Sequence, residues 1–223
     1  RSTPKPSSAA SDVYKRQDSQ PWGQGTLVQS DGEKYEGQFV DGFFEGQGIY
    51  YWNDGRKYEG TFQKGQPKGE GNFLFPDGRS YQGQVKNEQF NGEGILKWPD
   101  GRKYSGKFIN DQLDGIGSFQ WPDGRTYYGN FKNNKLDGIG KMSYSNGDIY
   151  IGEFKDGMLW NIKIYDKKGN LVQRWVNGEK SLIDQLTLNQ KVEKDDSKEK
   201  DTRFGFLFWR RVWRRVWPLV LLF

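Results

Sequence analysis

The chain contains no cysteine and no histidine. Without cysteine there is no disulfide framework, no thiol nucleophile and no thiolate metal site. Without histidine the usual proton shuttle near neutral pH and the commonest metal ligand are missing. Carboxylates and lysines could still do chemistry, but the expectation is a protein that is not an enzyme. No catalytic, cofactor-binding or metal-ligating residues are assigned, and no cofactor is expected. Aliphatic residues are also sparse: hydrophobic types make up 33% of the 223 residues, and aromatics alone account for 16%. Many rings beside 30 glycines suit twisted hairpins better than a close-packed sandwich.

Positive charge is scarce where a nucleic-acid binder would need it. The formal net charge is +5, but it sits at the ends. Arg1, Lys5, Lys15 and Arg16 against Asp12 give residues 1–17 a charge of +3, and Arg203, Arg210, Arg211, Arg214 and Arg215 give residues 203–223 a charge of +5, which leaves −3 for residues 18–202. The body of the chain is slightly acidic, so nucleic acid is not expected as a partner. The many glycine pairs never continue to Gly-x-Gly-x-x-Gly and never lead into Gly-Lys-Ser/Thr, which makes them structural rather than phosphate cradles. Kinase signatures and an EF-hand arrangement of aspartates are absent too.

What the chain does have is a strict period of 23 residues. Tyr35, Tyr58, Tyr81, Tyr104, Tyr127 and Tyr150 each open a Tyr-x-Gly-x-(Phe/Val) run. The runs carry Gly37, Gly60, Gly83, Gly106, Gly129 and Gly152 and end at Phe39, Phe62, Val85, Phe108, Phe131 and Phe154. A Gly-x-Gly pair follows, from Gly46/Gly48 to Gly138/Gly140, and each cycle closes on an Asp-Gly or Asn-Gly turn, from Asp31-Gly32 to Asn146-Gly147. Within a unit the residues alternate with period 2, which reads as strand. One row is aromatic and glycine-rich, as in Leu96 and Trp98 or Phe119 and Trp121, and the opposite row is mostly polar. That is the pattern of one antiparallel sheet buried on a single side.

A unit this short cannot bury its own apolar face, so neighbouring units must stack. The expected fold is all-β: an elongated, single-layer antiparallel β-hairpin solenoid. Its repeat core comprises Tyr35, Phe39, Tyr58, Phe62, Tyr81, Trp98, Tyr104, Phe108, Phe119, Trp121, Tyr127, Phe131, Tyr150 and Phe154. A one-layer sheet has no second layer to cover it, so an open, aromatic-lined groove along this face is the expected partner site.

The array spans residues 21–178. Residues 1–20 form a disordered tail in this reading, and the run SSAASDVYKRQ at 7–17 resembles a translated sequencing adapter. Ser181 before Leu182, with Asp184 three residues on, is a capping-box pattern and predicts a short capping helix over 179–190. Residues 191–202 read as a charged, disordered linker. Residues 203–223 read as an amphipathic tail helix with Trp209, Trp213 and Trp217 opposite Arg210, Arg211, Arg214 and Arg215. Such a helix suits an anionic membrane surface, whereas four central arginines argue against a spanning one; the alternative, given by the phrase Trp-Arg-Arg-Val twice in succession, is an out-of-frame end.

The run YEGQFVDGFFEGQGIYYWNDG, residues 35–55, and its in-register copies resemble the MORN (membrane occupation and recognition nexus) repeat. The resemblance implies an elongated stack of antiparallel hairpins. It also implies a scaffold or adaptor that binds protein partners, further copies of itself among them, and that associates with phospholipid membranes. The alternative it implies is the accessory array of a larger enzyme, such as a phosphatidylinositol phosphate kinase. The expected location is cytoplasmic, peripheral at a membrane or on the cytoskeleton.

Overall fold

The computed structural model describes residues 14–15, as backbone only, and residues 21–181. The expected helix over 182–190, the linker over 191–202 and the tail over 203–223 lie outside the described residues. Sixteen strands form a single antiparallel sheet whose spatial order is the order of the sequence. They are β1 (Tyr14–Lys15), β2 (Pro21–Val28), β3 (Lys34–Val40), β4 (Phe43–Tyr51), β5 (Lys57–Gln63), β6 (Gln66–Leu74), β7 (Ser80–Lys86) and β8 (Gln89–Lys97). The second half comprises β9 (Lys103–Ile109), β10 (Gln112–Gln120), β11 (Thr126–Lys132), β12 (Lys135–Ser143), β13 (Ile149–Lys155), β14 (Met158–Tyr165), β15 (Leu171–Val176) and β16 (Glu179–Ser181). At about 4.8 Å between strands, each two-strand unit advances the sheet by about 10 Å.

Two kinds of turn alternate along the two edges. On one edge, Asp54-Gly55 and its equivalents close five-residue turns. The Gly55 N–H donates to the Trp52 carbonyl at 3.0 Å, and the Trp52 N–H donates to the Arg56 carbonyl at 3.0 Å. On the other edge, two-residue turns place both central residues at positive φ, as at Asn133 (48°) and Asn134 (67°). This is the hairpin turn whose twist matches the flanking strands, and asparagine tolerates it without glycine. These second turns also join neighbouring hairpins. The Gly65 N–H donates to the Phe44 carbonyl at 2.9 Å, Asp111 to Phe90 at 3.1 Å and Gly157 to Leu136 at 2.8 Å.

The two glycines of each Gly-x-Gly pair have different tasks. The first sits in a bulge: between the pairs Leu113↔Phe108 and Gly117↔Gly106, three residues of β10 face only Lys107 of β9. Gly115 turns that bulge at φ 91°. The second belongs to a ladder of glycines paired strand to strand, running from Gly25 through Gly37, Gly48 and Gly60 without a break to Gly152. The ladder ends where Ile162 pairs with Gly152.

The structure corrects two expectations at the ends. Glu179–Ser181 form β16, paired with β15, instead of opening a helix. The cause is local: Asn177 (φ 54°) and Gly178 (φ 82°) make one more two-residue hairpin turn, which sends the chain back along the sheet. Tyr14–Lys15, within the segment left out of the fold on sequence grounds, pair with Pro21–Trp22.

The glycine ladder can be tested directly. A Cβ on Gly94 would lie 2.5 Å from the Tyr81 Oη and 2.6 Å from its Cε2. Gly94→Ala is expected to cost about 3 kcal/mol in urea unfolding, the upper range for overpacking a filled site. Ser105→Ala, on the opposite face of the adjoining strand, should leave the midpoint nearly unchanged.

Candidate functional site

The central rings pack on one another in a repeating order. Tyr104 meets Phe108 of its own unit at 5.0 Å and Phe131 of the next at 5.1 Å, both edge-to-face. Tyr127 does the same with Phe131 at 5.2 Å and Phe154 at 5.1 Å. Where the alternation lapses, other rings substitute. Tyr81, whose own unit has Val85, stacks on Phe90 at 3.7 Å and meets Phe108 at 5.2 Å. Such pairs add about 0.5–1.5 kcal/mol each beyond area burial. Each tyrosine hydroxyl, lying over the glycine ladder, donates to the carbonyl three residues on: Tyr35 to Gln38 at 3.0 Å, Tyr81 to Gln84 at 2.7 Å and Tyr127 to Asn130 at 3.0 Å.

The expected core residues therefore divide into two groups. Tyr35, Phe39, Tyr58, Phe62, Tyr81, Tyr104, Phe108, Phe119, Tyr127, Phe131 and Phe154 are buried. Trp98, Trp121 and Tyr150 are half-buried. Tyr150 departs from its five equivalents because Ile162 stands where they have a second glycine, so the ring cannot lie flat on the sheet and packs against Tyr144 at 4.6 Å. The middle of the aromatic face expected to form an open groove is filled, and a row of half-buried rings, Trp52, Phe75, Trp98, Trp121 and Tyr144, remains along one edge. Rings of successive hairpins cover each other, and Tyr58, Tyr104 and Tyr127 are 0% exposed.

Four half-buried rings line the edge of five-residue turns, each beneath an arginine. Arg56 lies over Trp52 at 4.8 Å, Arg79 over Phe75 at 4.8 Å, Arg102 over Trp98 at 5.1 Å and Arg125 over Trp121 at 5.1 Å. Each guanidinium is held by its turn aspartate, with Nε to Oδ2 at 2.7 Å in all four. The backbone N–H of Arg56 on Asp54, and then the guanidinium, hold that carboxyl below its ordinary pKa, and the other three turns repeat this. The sequence reading saw the turns and missed the arginines, although Asp-Gly-Arg recurs four times in register.

The opposite face of the sheet is mostly polar and exposed. Two open depressions lie on it, one bordered by Glu36, Gln47, Ile49 and Glu59, the other by Glu59, Asn72, Gln82, Ile95 and Lys97. Its two middle rows are polarised. In β3–β8 they carry Glu36, Glu59, Glu70 and Glu93, while in β9–β14 they carry Lys107, Lys141 and Lys163, with Glu153 as the acid. Ile116, Ile139 and Ile151 stand exposed in the second half, at 53%, 63% and 39%. Among the described residues no cluster of three or more acidic side chains could hold a metal ion, and no helix is long and apolar enough to cross a membrane.

A sheet that grows by adding identical hairpins, each covering its neighbour's rings, defines a linear β-hairpin repeat protein. The family model for the MORN repeat matches residues 35–55, 58–78, 81–101, 104–124, 127–149 and 150–160, more than half of the chain. The chain belongs to the MORN repeat family. Among solved structures, it is similar to the TCP domain of SAS-4 (dCPAP) of Drosophila melanogaster, determined with a proline-rich motif of Ana2 (dSTIL), at 14% identity and a TM-score of 0.43, over 82% of this chain and 97% of that one. The TCP10 domain of CPAP from Danio rerio aligns at 18% identity and a TM-score of 0.24, over 73% and 93% of the two chains. At such scores these likenesses carry no weight for function. No curated protein sequence matches the chain.

The buried tyrosines make stability depend on alkaline pH. Burial pushes the Tyr35 and Tyr58 phenols up to about 12, from an ordinary 10.0, and raises Tyr81, Tyr104 and Tyr127 as well. Below the ordinary value both folded and unfolded chains keep the phenolic proton, so the contribution is complete. Above it only the unfolded chain ionises, and stability falls as pH rises toward the folded value. Circular dichroism and tyrosinate absorbance recorded together should show loss of the sheet in the window from about pH 10 to 12, with the core phenols ionising in the same transition.

Proposed function

We propose that the chain is a non-catalytic scaffold that holds protein partners along the polar face of its repeat sheet, in a cytoplasmic setting. The observation that carries this reading is the division of labour between the faces. The aromatic face is consumed by packing between repeats, while the other displays Ile116, Ile139 and Ile151 on nearby strands beside Lys107, Lys141 and Lys163. Exposed aliphatic side chains grouped on a rigid surface and rimmed by charge mark an interaction site. An apolar segment bearing carboxylates is the complement: its aliphatic side chains would cover the isoleucines and its acids would meet the lysines. A sheet of fixed strand spacing also gives such a segment a regular series of contacts, which favours an extended partner.

Ile116→Glu with Ile139→Glu alters this surface without entering the core. Affinity capture with the native and doubly substituted chains, compared by mass spectrometry, should show partners that the native chain holds and the variant loses. Unchanged circular dichroism of the variant would confirm the fold. The same partner set on both chains would overturn the proposal.

A further inference from the structure

The edge of five-residue turns is a continuous rim of fixed pitch. Pro76 packs against Gly55 of the preceding turn, Pro99 against Gly78 and Pro122 against Gly101, so four successive turns touch. Each turn lies two strands from the next, which sets the pitch at about 10 Å and the length from the first to the fourth at about 30 Å. Every turn presents one guanidinium, and all four are held alike, with the ring below and the turn carboxylate on Nε. Arg125 also reaches the Tyr144 hydroxyl. The Nη atoms of Arg56, Arg79 and Arg102 donate to nothing among the described residues, and these side chains are 36%, 40% and 42% exposed.

We infer that this rim docks an extended acidic peptide that carries a carboxylate at every third residue. Spacing selects the form of the peptide. A polyproline II segment has three residues per turn and advances about 3.1 Å per residue, so every third side chain returns to the same side after about 9.3 Å, close to one pitch of the rim. A β-strand repeats its facing after two residues, about 6.6 Å, and matches the pitch poorly. An acidic chain repels itself and is extended before it binds.

Charge selects its chemistry. Each turn aspartate is engaged within its own turn, as Asp100 is: Oδ1 accepts the Arg102 N–H at 3.0 Å and Oδ2 accepts Nε at 2.7 Å. The guanidinium is thereby fixed before a ligand arrives, so little side-chain freedom remains to be lost, and its Nη pair suits a carboxylate. The surplus of positive charge is greatest at this third turn. Its stems carry Lys97 and Lys103 directly opposite each other, between the neutral Ser80 and Gln120. Both lysines are exposed and form no ion pair among the described residues. Lys132 and Lys135 are opposed too, but there Asp156 pairs with Lys135. Like charges placed opposite destabilise a sheet, and a ligand carboxylate between them removes the repulsion. Lys97 and Lys103 leave on the polar face and Arg102 on the aromatic face, so a segment lying along the rim passes between cations. This surface is separate from the patch of Ile116 and Ile139.

Fluorescence anisotropy of two labelled peptides against the full chain tests this. Both have the same composition and a length of about 12 residues, enough to span the rim. One carries glutamate at every third position, and the other carries its glutamates in one block. The periodic peptide should bind about tenfold more tightly than the blocked one, and its affinity should fall as salt rises. Lys97→Glu with Lys103→Glu should weaken it by about tenfold, with the circular dichroism unchanged. Arg79→Gln with Arg102→Gln should do the same, and the lysine variant, which leaves every arginine clamp intact, decides the matter if the arginine variant loses its fold. Equal affinity for the two peptides would overturn the inference, because a diffuse positive field has no pitch. Binding indifferent to the lysine reversal would overturn it as well. So would tighter binding of single-stranded DNA or phosphatidylserine vesicles than of the periodic peptide, which would give the rim to a phosphate polyanion.

Discussion

A tyrosine ring lying flat across two paired glycines is the contact on which this molecule depends. Without a Cβ on either glycine, the phenol rests on bare backbone, its hydroxyl reaches the carbonyl three residues ahead, and its edges are left for the phenylalanines of its own and the next unit. A one-layer sheet normally leaves one face wet or covered by another layer. Here the covering is done by the sheet's own rings, pressed close because the glycines let them. The end of the array makes the same point. At Ile162 the glycine ladder stops, and Tyr150 is the equivalent tyrosine that stays half-buried.

Around this contact, each unit is tied to the next by more than strand pairing. The two-residue turn of one hairpin donates to a carbonyl of the preceding hairpin, and each proline of the other edge packs on the turn glycine before it, as Pro76 does at Gly55. Stability is then shared between neighbours and not concentrated in a central core, the usual energetics of a linear repeat. The arginine clamped between turn aspartate and ring shields the outer row of aromatics while keeping its charge in water.

This economy separates structure from display. The positions that hold the array together lie on the aromatic face, in the turns and in the glycine ladder, and they barely change from unit to unit. The opposite face is free to vary, and it does: the charged residues of its two middle rows are all glutamates in β3–β8 and mostly lysines in β9–β14. A surface on which each row can be set independently on a rigid, evenly spaced frame suits recognition of an extended segment.

Much of this was legible in the sequence, because a 23-residue period with in-register tyrosines and glycines admits few arrangements. The all-β class, the single-sided burial, the linear order of the hairpins and the turn chemistry of Asp-Gly all follow from local pattern and backbone sterics. Turns such as Asn133-Asn134 were harder to see, since no glycine flags their positive φ. What the sequence could not reveal was which face stays open. Alternation identifies two faces, but whether rings lie exposed or cover one another depends on how closely the rings of successive hairpins approach over the glycine ladder. The same holds for the charge rows: Glu93 and Lys107, or Ile151 and Lys163, become neighbours only through the strand register that the turns and bulges set.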